Sequence, residues 1–218
     1  MGFSDDLWAA GAGIYDRVRE HPFLTGLADG TLPHAAFRHF VVQDAHYLRG
    51  YARALAVLAA RAPTEADTVM FAQHAAGAIA AEQDMHAGLA EALGISGTAD
   101  LPVAPTTTAY TSYLLATCHG GSFAEGLGAV LPCYWIYARV GEALLEASSP
   151  DPLYARWIAM YGGEEFQAVV DAVLALTDRV GPPLGDVERG RVREHYVTTC
   201  RYEWMFWDAA WRQEDWPV

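Results

Sequence analysis

The chain has 218 residues, 52% of them hydrophobic and 19% charged, with a formal net charge of −13. That balance argues against disorder and leaves no cationic footprint for a nucleic acid. All 14 basic residues are arginine, which excludes Schiff-base enzymes and lysine-dependent phosphate loops. The length suits one domain, residues 1–218, with a substantial core. No run of about 18 uncharged apolar residues lies between suitable flanks, so no membrane span is expected. The segment Met1 to Asp6 is acidic, unlike a signal peptide, and position 6 lacks the Ser or Thr of a myristoylation site. A cytoplasmic protein is the expectation. Cys118, Cys133 and Cys200 are odd in number and widely spaced, which fits neither a disulfide framework nor a CxxC zinc site.

In chain order, Ser4 is read as the cap of a first helix with Leu7, Trp8, Ile14, Tyr15 and Val18 as its apolar stripe, ending at His21-Pro22. Asp29-Gly30 marks a turn. Pro33 opens a long helix to about Arg61 that carries Phe37, Phe40, Val41, Tyr47, Tyr51 and Leu55. Thr64 and Asp67 open a third, running to Leu93-Gly94. A connection rich in Gly, Thr and Pro follows, and a fourth helix spans about Thr107 to Cys118. Ser122 and Glu125 form a capping-box start for a fifth, which ends near Ser148. Pro152 to Met160, Glu164 to Val180 and Asp186 to Arg212 complete the set. Alanine is abundant, short β-branched runs are absent, and no repeat or long linker is visible. The prediction is a single-domain all-α bundle of seven to eight helices.

Several residues could carry chemistry. Within Leu131-Pro132-Cys133-Tyr134-Trp135-Ile136-Tyr137, a proline interrupts an apolar helix directly before a thiol, and Tyr137 lies one turn on, on the same face. Free cysteine is most often an inert core residue, so packing and chemistry both stay open for Cys133. Asp44 sits mid-helix with Tyr47 and Tyr51 on its face; it either bonds a neighbouring helix or serves a site. Glu203 lies in Tyr202-Glu203-Trp204-Met205-Phe206-Trp207, where aromatic and apolar surroundings raise a carboxyl pKa and suit an acid or base near neutrality; the alternative is a glutamate reaching solvent. Tyr110 follows the Gly/Thr/Pro connection and Tyr161 precedes Gly162-Gly163; each alone reads as a core or rim tyrosine. Glu82 and His86 are four apart, but the paired Glu-x-x-His arrangement of a di-iron bundle is absent, so no metal is expected. His21, His34, His39, His46 and His74 are scattered.

Taken together, these stretches resemble the thiaminase II (TenA) family. The resemblance rests on the Leu131–Tyr137 stretch with Val140-Gly141-Glu142, on Trp157-Ile158 and Tyr161-Gly162-Gly163, and on Tyr202-Glu203-Trp204 with Phe206-Trp207. It rests equally on His21-Pro22-Phe23, Gln43-Asp44 with Tyr47-Leu48, and Tyr110-Thr111-Ser112, in that order along nearly the whole chain. It implies a haem-oxygenase-like helical fold without haem or other cofactor, assembled as a homotetramer. It implies a hydrolase acting on thiamin or on its degraded fragment 4-amino-5-aminomethyl-2-methylpyrimidine, releasing hydroxymethylpyrimidine for salvage. It assigns Cys133 as nucleophile and Glu203 as acid/base, with Asp44, Tyr47, Tyr110, Tyr137 and Tyr161 holding the ring. Tyr113 departs from the pattern. Two other classes stay open: a haem-oxygenase-like metal-dependent oxidase using Glu82 and His86, and a non-catalytic pyrimidine-binding protein. Which of the two substrates is preferred depends on room for a thiazolium ring.

Overall fold

Side-chain caps set the starts of several helices in the computed structural model, which describes residues 2–85, 88–89, 92–95, 100–147 and 149–218. Nine helices occur among the described residues: α1 (Phe3–Arg19), α2 (Pro22–Asp29), α3 (His34–Arg61), α4 (Glu65–Met85), α5 (Pro105–Gly120), α6 (Phe123–Ala147), α7 (Pro152–Tyr161), α8 (Glu164–Val180) and α9 (Asp186–Arg212). No strand is present among those residues. The Thr64 hydroxyl and Asp67 exchange hydrogen bonds at the start of α4. At α6 the Ser122 N–H donates to Glu125 Oε2 at 2.6 Å while the Glu125 N–H donates back to the Ser122 hydroxyl at 3.2 Å. Both are the reciprocal caps expected from Ser or Thr three residues before an acid.

Two local expectations are corrected. Ser4 is not the cap of α1; the helix begins at Phe3, and Ser4 is buried with its N–H donating to Asp178 of α8 at 2.8 Å. The stretch between His21 and Gly30 is a further helix rather than a connection. His21 Nδ1 accepts from the Phe23 N–H, Pro22 occupies the first turn, and Gly30 closes the helix at φ 79°, where a side chain would be strained. The helical run of α6 is unbroken across Pro132.

The 28-residue α3 lies at the centre and packs against α4, α5, α6 and α9. Because it has neighbours on several sides, its apolar surface is wide, from Phe37 and Phe40 through Val41, Leu48 and Leu55 to Leu58, all buried. Close approach elsewhere depends on glycine. At Gly141 of α6 a Cβ would stand about 2.5 Å from the Tyr161 backbone, so α6 and α7 meet there main chain to main chain. Beneath this contact Trp157 and Trp207 are fully enclosed, edge to face with ring centroids 5.8 Å apart. Aromatic burial of this kind contributes about 3–5 kcal/mol per side chain. Among the described residues no helix is long and apolar enough to cross a membrane.

Candidate active site

A cavity of about 490 Å³ opens between α3, α4, α6, α7 and α8. Helical spacing supplies its polar lining in groups. Asp44, Tyr47 and Tyr51 recur along one face of α3 at i, i+3 and i+7, and α6 contributes Cys133, Tyr134 and Tyr137 at i, i+1 and i+4. Tyr161 enters from the end of α7, and Gln73 and His74 from α4. Leu48, Ala78, Met160, Phe166 and Val169 make the remaining wall apolar. Of the three free cysteines, Cys118 and Cys200 are buried in packed surroundings, while Cys133 is partly exposed to the cavity.

Glu203 and Tyr110 stand directly behind this lining. Glu203 of α9 is 1% exposed, and the Tyr110 hydroxyl of α5 donates to its Oε1 at 2.6 Å. Burial raises the Glu203 carboxyl to about 8; nearby Asp44 pushes it the same way, and the Tyr110 hydrogen bond opposes the rise. At neutral pH the side chain is therefore mostly a carboxylic acid. Tyr202 and Trp204 project from other faces of α9: Tyr202 stacks on Tyr110 with centroids 5.1 Å apart, and Trp204 meets the His21 ring edge-on. The carboxyl instead lies close enough to Cys133, Tyr47, Tyr137 and Tyr161 to act on each electrostatically.

The thiol of Cys133 is pushed well above its ordinary value, first by burial and then by Glu203 and Asp44; the hydroxyls of Tyr47 and Tyr51, which face the sulfur, oppose this. The tyrosines form two aromatic groups on the cavity wall. Tyr47 contacts Tyr110 at 4.8 Å and Tyr51 at 5.5 Å between centroids, and Tyr137 contacts Tyr161 at 4.9 Å. Such a surface accepts a flat aromatic ring by offset stacking or edge contact. A carboxyl that holds a proton, a thiol and π faces together suit nucleophilic attack on an electron-poor ring.

All seven residues named from the sequence are thus gathered in one region, five lining the cavity and two behind it. Sequence reasoning did not single out Tyr134 or His74, whose Nδ1 lies 3.0 Å from the Tyr134 hydroxyl. Tyr134 follows Cys133 directly, but nothing local tied it to a histidine on α4. Tyr113 lies apart from the cavity, with its hydroxyl 2.7 Å from His195 Nδ1 in the seam between α5 and α9. His86 and the side chain of Glu82 lie outside the described residues. Among the described residues no three His, Cys, Asp or Glu side chains converge as metal ligands.

An all-helical body around a tyrosine-walled cavity that holds a cysteine and carboxyls defines the class of protein. A domain of unknown function with a heme oxygenase-like fold, from Shewanella denitrificans OS217, shares this architecture: the TM-score is 0.75 over 96% of this chain and 92% of that one, at 15% identity. Residues 8–213 match the TENA/THI-4/PQQC family, and the chain belongs to it. It is 37% identical to the aminopyrimidine aminohydrolase of Bacillus subtilis (strain 168) over 218 residues, covering 99% of this chain and 92% of that protein. It also resembles the TenA homologue of P. horikoshii OT3, with a TM-score of 0.90 at 29% identity over 97% of this chain and 99% of the other.

Proposed function

We propose that this protein hydrolyses an aminopyrimidine, either thiamin or its fragment 4-amino-5-aminomethyl-2-methylpyrimidine, to hydroxymethylpyrimidine. Cys133 is the nucleophile and Glu203 the acid/base. The observation that carries the reading is the convergence of an accessible thiol with a buried, mostly protonated carboxyl behind one tyrosine-lined cavity. The similarity to a full-length aminopyrimidine aminohydrolase supports the substrate class.

In this reading the pyrimidine lies against Tyr47, Tyr137 and Tyr161, and Asp44 accepts from its exocyclic amino group. Glu203 gives its proton to a ring nitrogen, which leaves the adjacent ring carbon electrophilic. The Cys133 thiol gives its proton to solvent in the open cavity, its sulfur forms a bond to that carbon, and aromaticity is lost. The electron pair of the dearomatised ring then expels the leaving group from the exocyclic methylene: ammonia from the fragment, whose amine is protonated at neutral pH, or the neutral thiazole from thiamin. Water adds to the methylene and gives a proton to the Glu203 carboxylate; the C–S bond breaks to restore the thiolate, and the ring regains its aromaticity and releases its added proton to solvent. One difficult substitution is thereby split into two easier ones. Tyr110 holds the Glu203 carboxyl in place throughout.

The deciding assay incubates purified enzyme with each substrate and follows hydroxymethylpyrimidine by chromatography. Turnover of either, abolished in Cys133→Ser, is the expected result. Ligand-induced stabilisation without turnover of either would establish a binding protein instead. The same reading carries a tetramer, which light scattering of the purified protein tests.

A further inference from the structure

The cavity has two unlike ends. Asp44, Tyr47 and Tyr137 are buried and make a closed, polar end. Gln73, Gly77 and Met160 are exposed and mark the mouth, with Phe166 half-buried in the apolar wall. An aromatic path leads outward: Tyr137 meets Tyr161 at 4.9 Å, and Tyr161 meets Phe166 edge to face at 5.4 Å between centroids. The pyrimidine fragment, one ring with short arms, fills under half of about 490 Å³ at the packing density of a protein interior. Its amine makes no use of an apolar wall. A flat cationic ring does, against the face of Phe166 and the thioether of Met160.

Gly77 stands in the middle of α4, where glycine is less favourable than alanine. Its backbone does not require glycine, since the described positive-φ glycines are Gly30 and Gly94. Packing does not require it either. A Cβ at Gly50 of α3 would press on Thr111 at 2.7 Å, whereas among the described residues one at Gly77 meets nothing within 4 Å. Gly77 borders the mouth, so the room a longer side chain would occupy there is room the cavity now has.

Resting on the hydrolase reading above, we propose that Gly77 is a specificity-determining residue of this site: its missing side chain leaves the mouth wide enough for a leaving group that carries a ring, so that intact thiamin is accepted along with the amine-bearing fragment. The pyrimidine keeps its place at the polar end, and the thiazolium lies along Phe166 and Met160. A large side chain at position 77 takes part of that room. It discriminates against thiamin, while the fragment, which ends short of the mouth, loses less.

The test uses Gly77→Ala, Gly77→Leu and the control Gly190→Leu in the full-length protein. Gly190 is an exposed glycine of α9 outside the cavity lining, where a Cβ likewise meets nothing within 4 Å among the described residues. The first readout is kcat/KM on thiamin divided by kcat/KM on 4-amino-5-aminomethyl-2-methylpyrimidine. Gly77→Leu should lower this ratio by at least about tenfold, and Gly190→Leu should leave it at the wild-type value. The second readout needs no turnover: the rate at which N-phenylmaleimide, which carries a ring, modifies Cys133, relative to the smaller iodoacetamide. It should fall by a similar factor in Gly77→Leu. Gly77→Ala should raise Tm by about 2–4 °C, because alanine favours the helix and meets no neighbour. Equal losses on both substrates in Gly77→Leu, an unchanged ratio, or a lower Tm in Gly77→Ala would overturn the proposal. So would a wild type that turns over the fragment but not thiamin. If Gly77→Leu fails to fold, Gly77→Gln decides by the same ratios. A wild type that turns over neither substrate while the maleimide ratio still falls in Gly77→Leu would reject the hydrolase and leave the size control at Gly77 standing. Turnover of both substrates with both ratios unchanged would reject the role of Gly77 alone.

Discussion

Replacing Glu203 by glutamine tests the electrostatics of the site without reference to its activity. Glutamine has nearly the same shape, and its carbonyl can accept the Tyr110 hydrogen bond that Glu203 Oε1 accepts at 2.6 Å. What changes is the ionisation. The folded protein holds the Glu203 proton up to about pH 8, against an ordinary glutamate value of 4.5. Between those limits the unfolded chain has lost this proton and the folded chain has kept it. Stability attributable to Glu203 is therefore fully present below pH 4.5 and falls as pH rises toward 8. At about 1.4 kcal/mol per pH unit, the interval amounts to about 5 kcal/mol. Glu203→Gln has no such slope. Urea denaturation of wild type and variant should be measured from pH 5 to 8.5 and the two stabilities subtracted, which cancels the titrations they share. The variant should gain on the wild type steadily across this range, by several kcal/mol in total, and flatten above it. A difference that stays constant with pH would show that Glu203 ionises like an exposed carboxyl, and the acid role would go with it.

Cys133→Ser should melt near wild type and lose several orders of magnitude in turnover, because an alcohol is a far weaker nucleophile than a thiolate. Iodoacetamide should modify Cys133 ahead of the enclosed Cys118 and Cys200, and bound aminopyrimidine should protect it; equal modification of all three would contradict the cavity. Tyr110→Phe removes the hydrogen bond that holds Glu203 down, so the pH-dependent loss of stability seen in wild type should extend to higher pH, with a cost of about 1 kcal/mol from the lost bond. Gly141→Ala forces a methyl group against the Tyr161 main chain. It should destabilise the protein by about 1–3 kcal/mol and raise KM more than it lowers kcat, since it displaces Tyr161, which we propose holds the ring, rather than the thiol. An unchanged KM would place Tyr161 outside the binding surface.

The helices were legible because their signals are local. Reciprocal caps at Thr64 and Ser122, apolar periodicity and alanine content act within a turn or two of chain. The same locality explains the errors. Ser4 has the chemistry of a cap, but its N–H is claimed by Asp178, 174 residues away. The short α2 carried readable marks in Pro22 and Gly30 and an apolar face at Phe23, Leu24 and Leu27, yet only eight residues separate it from a connection. Clustering of Asp44, Tyr47 and Tyr51, and of Cys133 and Tyr137, was visible for the same reason, since each group lies on one helix at the spacing that shares a face.

What the sequence by itself determined is the all-helical class, the arginine-only basic set, and the two side-chain clusters that individual helices present. Tertiary structure decided how those clusters meet. Glu203 and Tyr110 are 93 residues apart, and the carboxyl is raised first by burial and then by Asp44, which α3 brings near it. His74 and Tyr134 are 60 residues apart, on helices that carry no mutual signal. Burial and proton affinity depend on everything within a few ångströms in space, and a helix delivers each side chain to one face only. The adjacent residues Tyr202 and Trp204 therefore pack on Tyr110 and His21, while Tyr110 and Asp44 reach Glu203 from other helices.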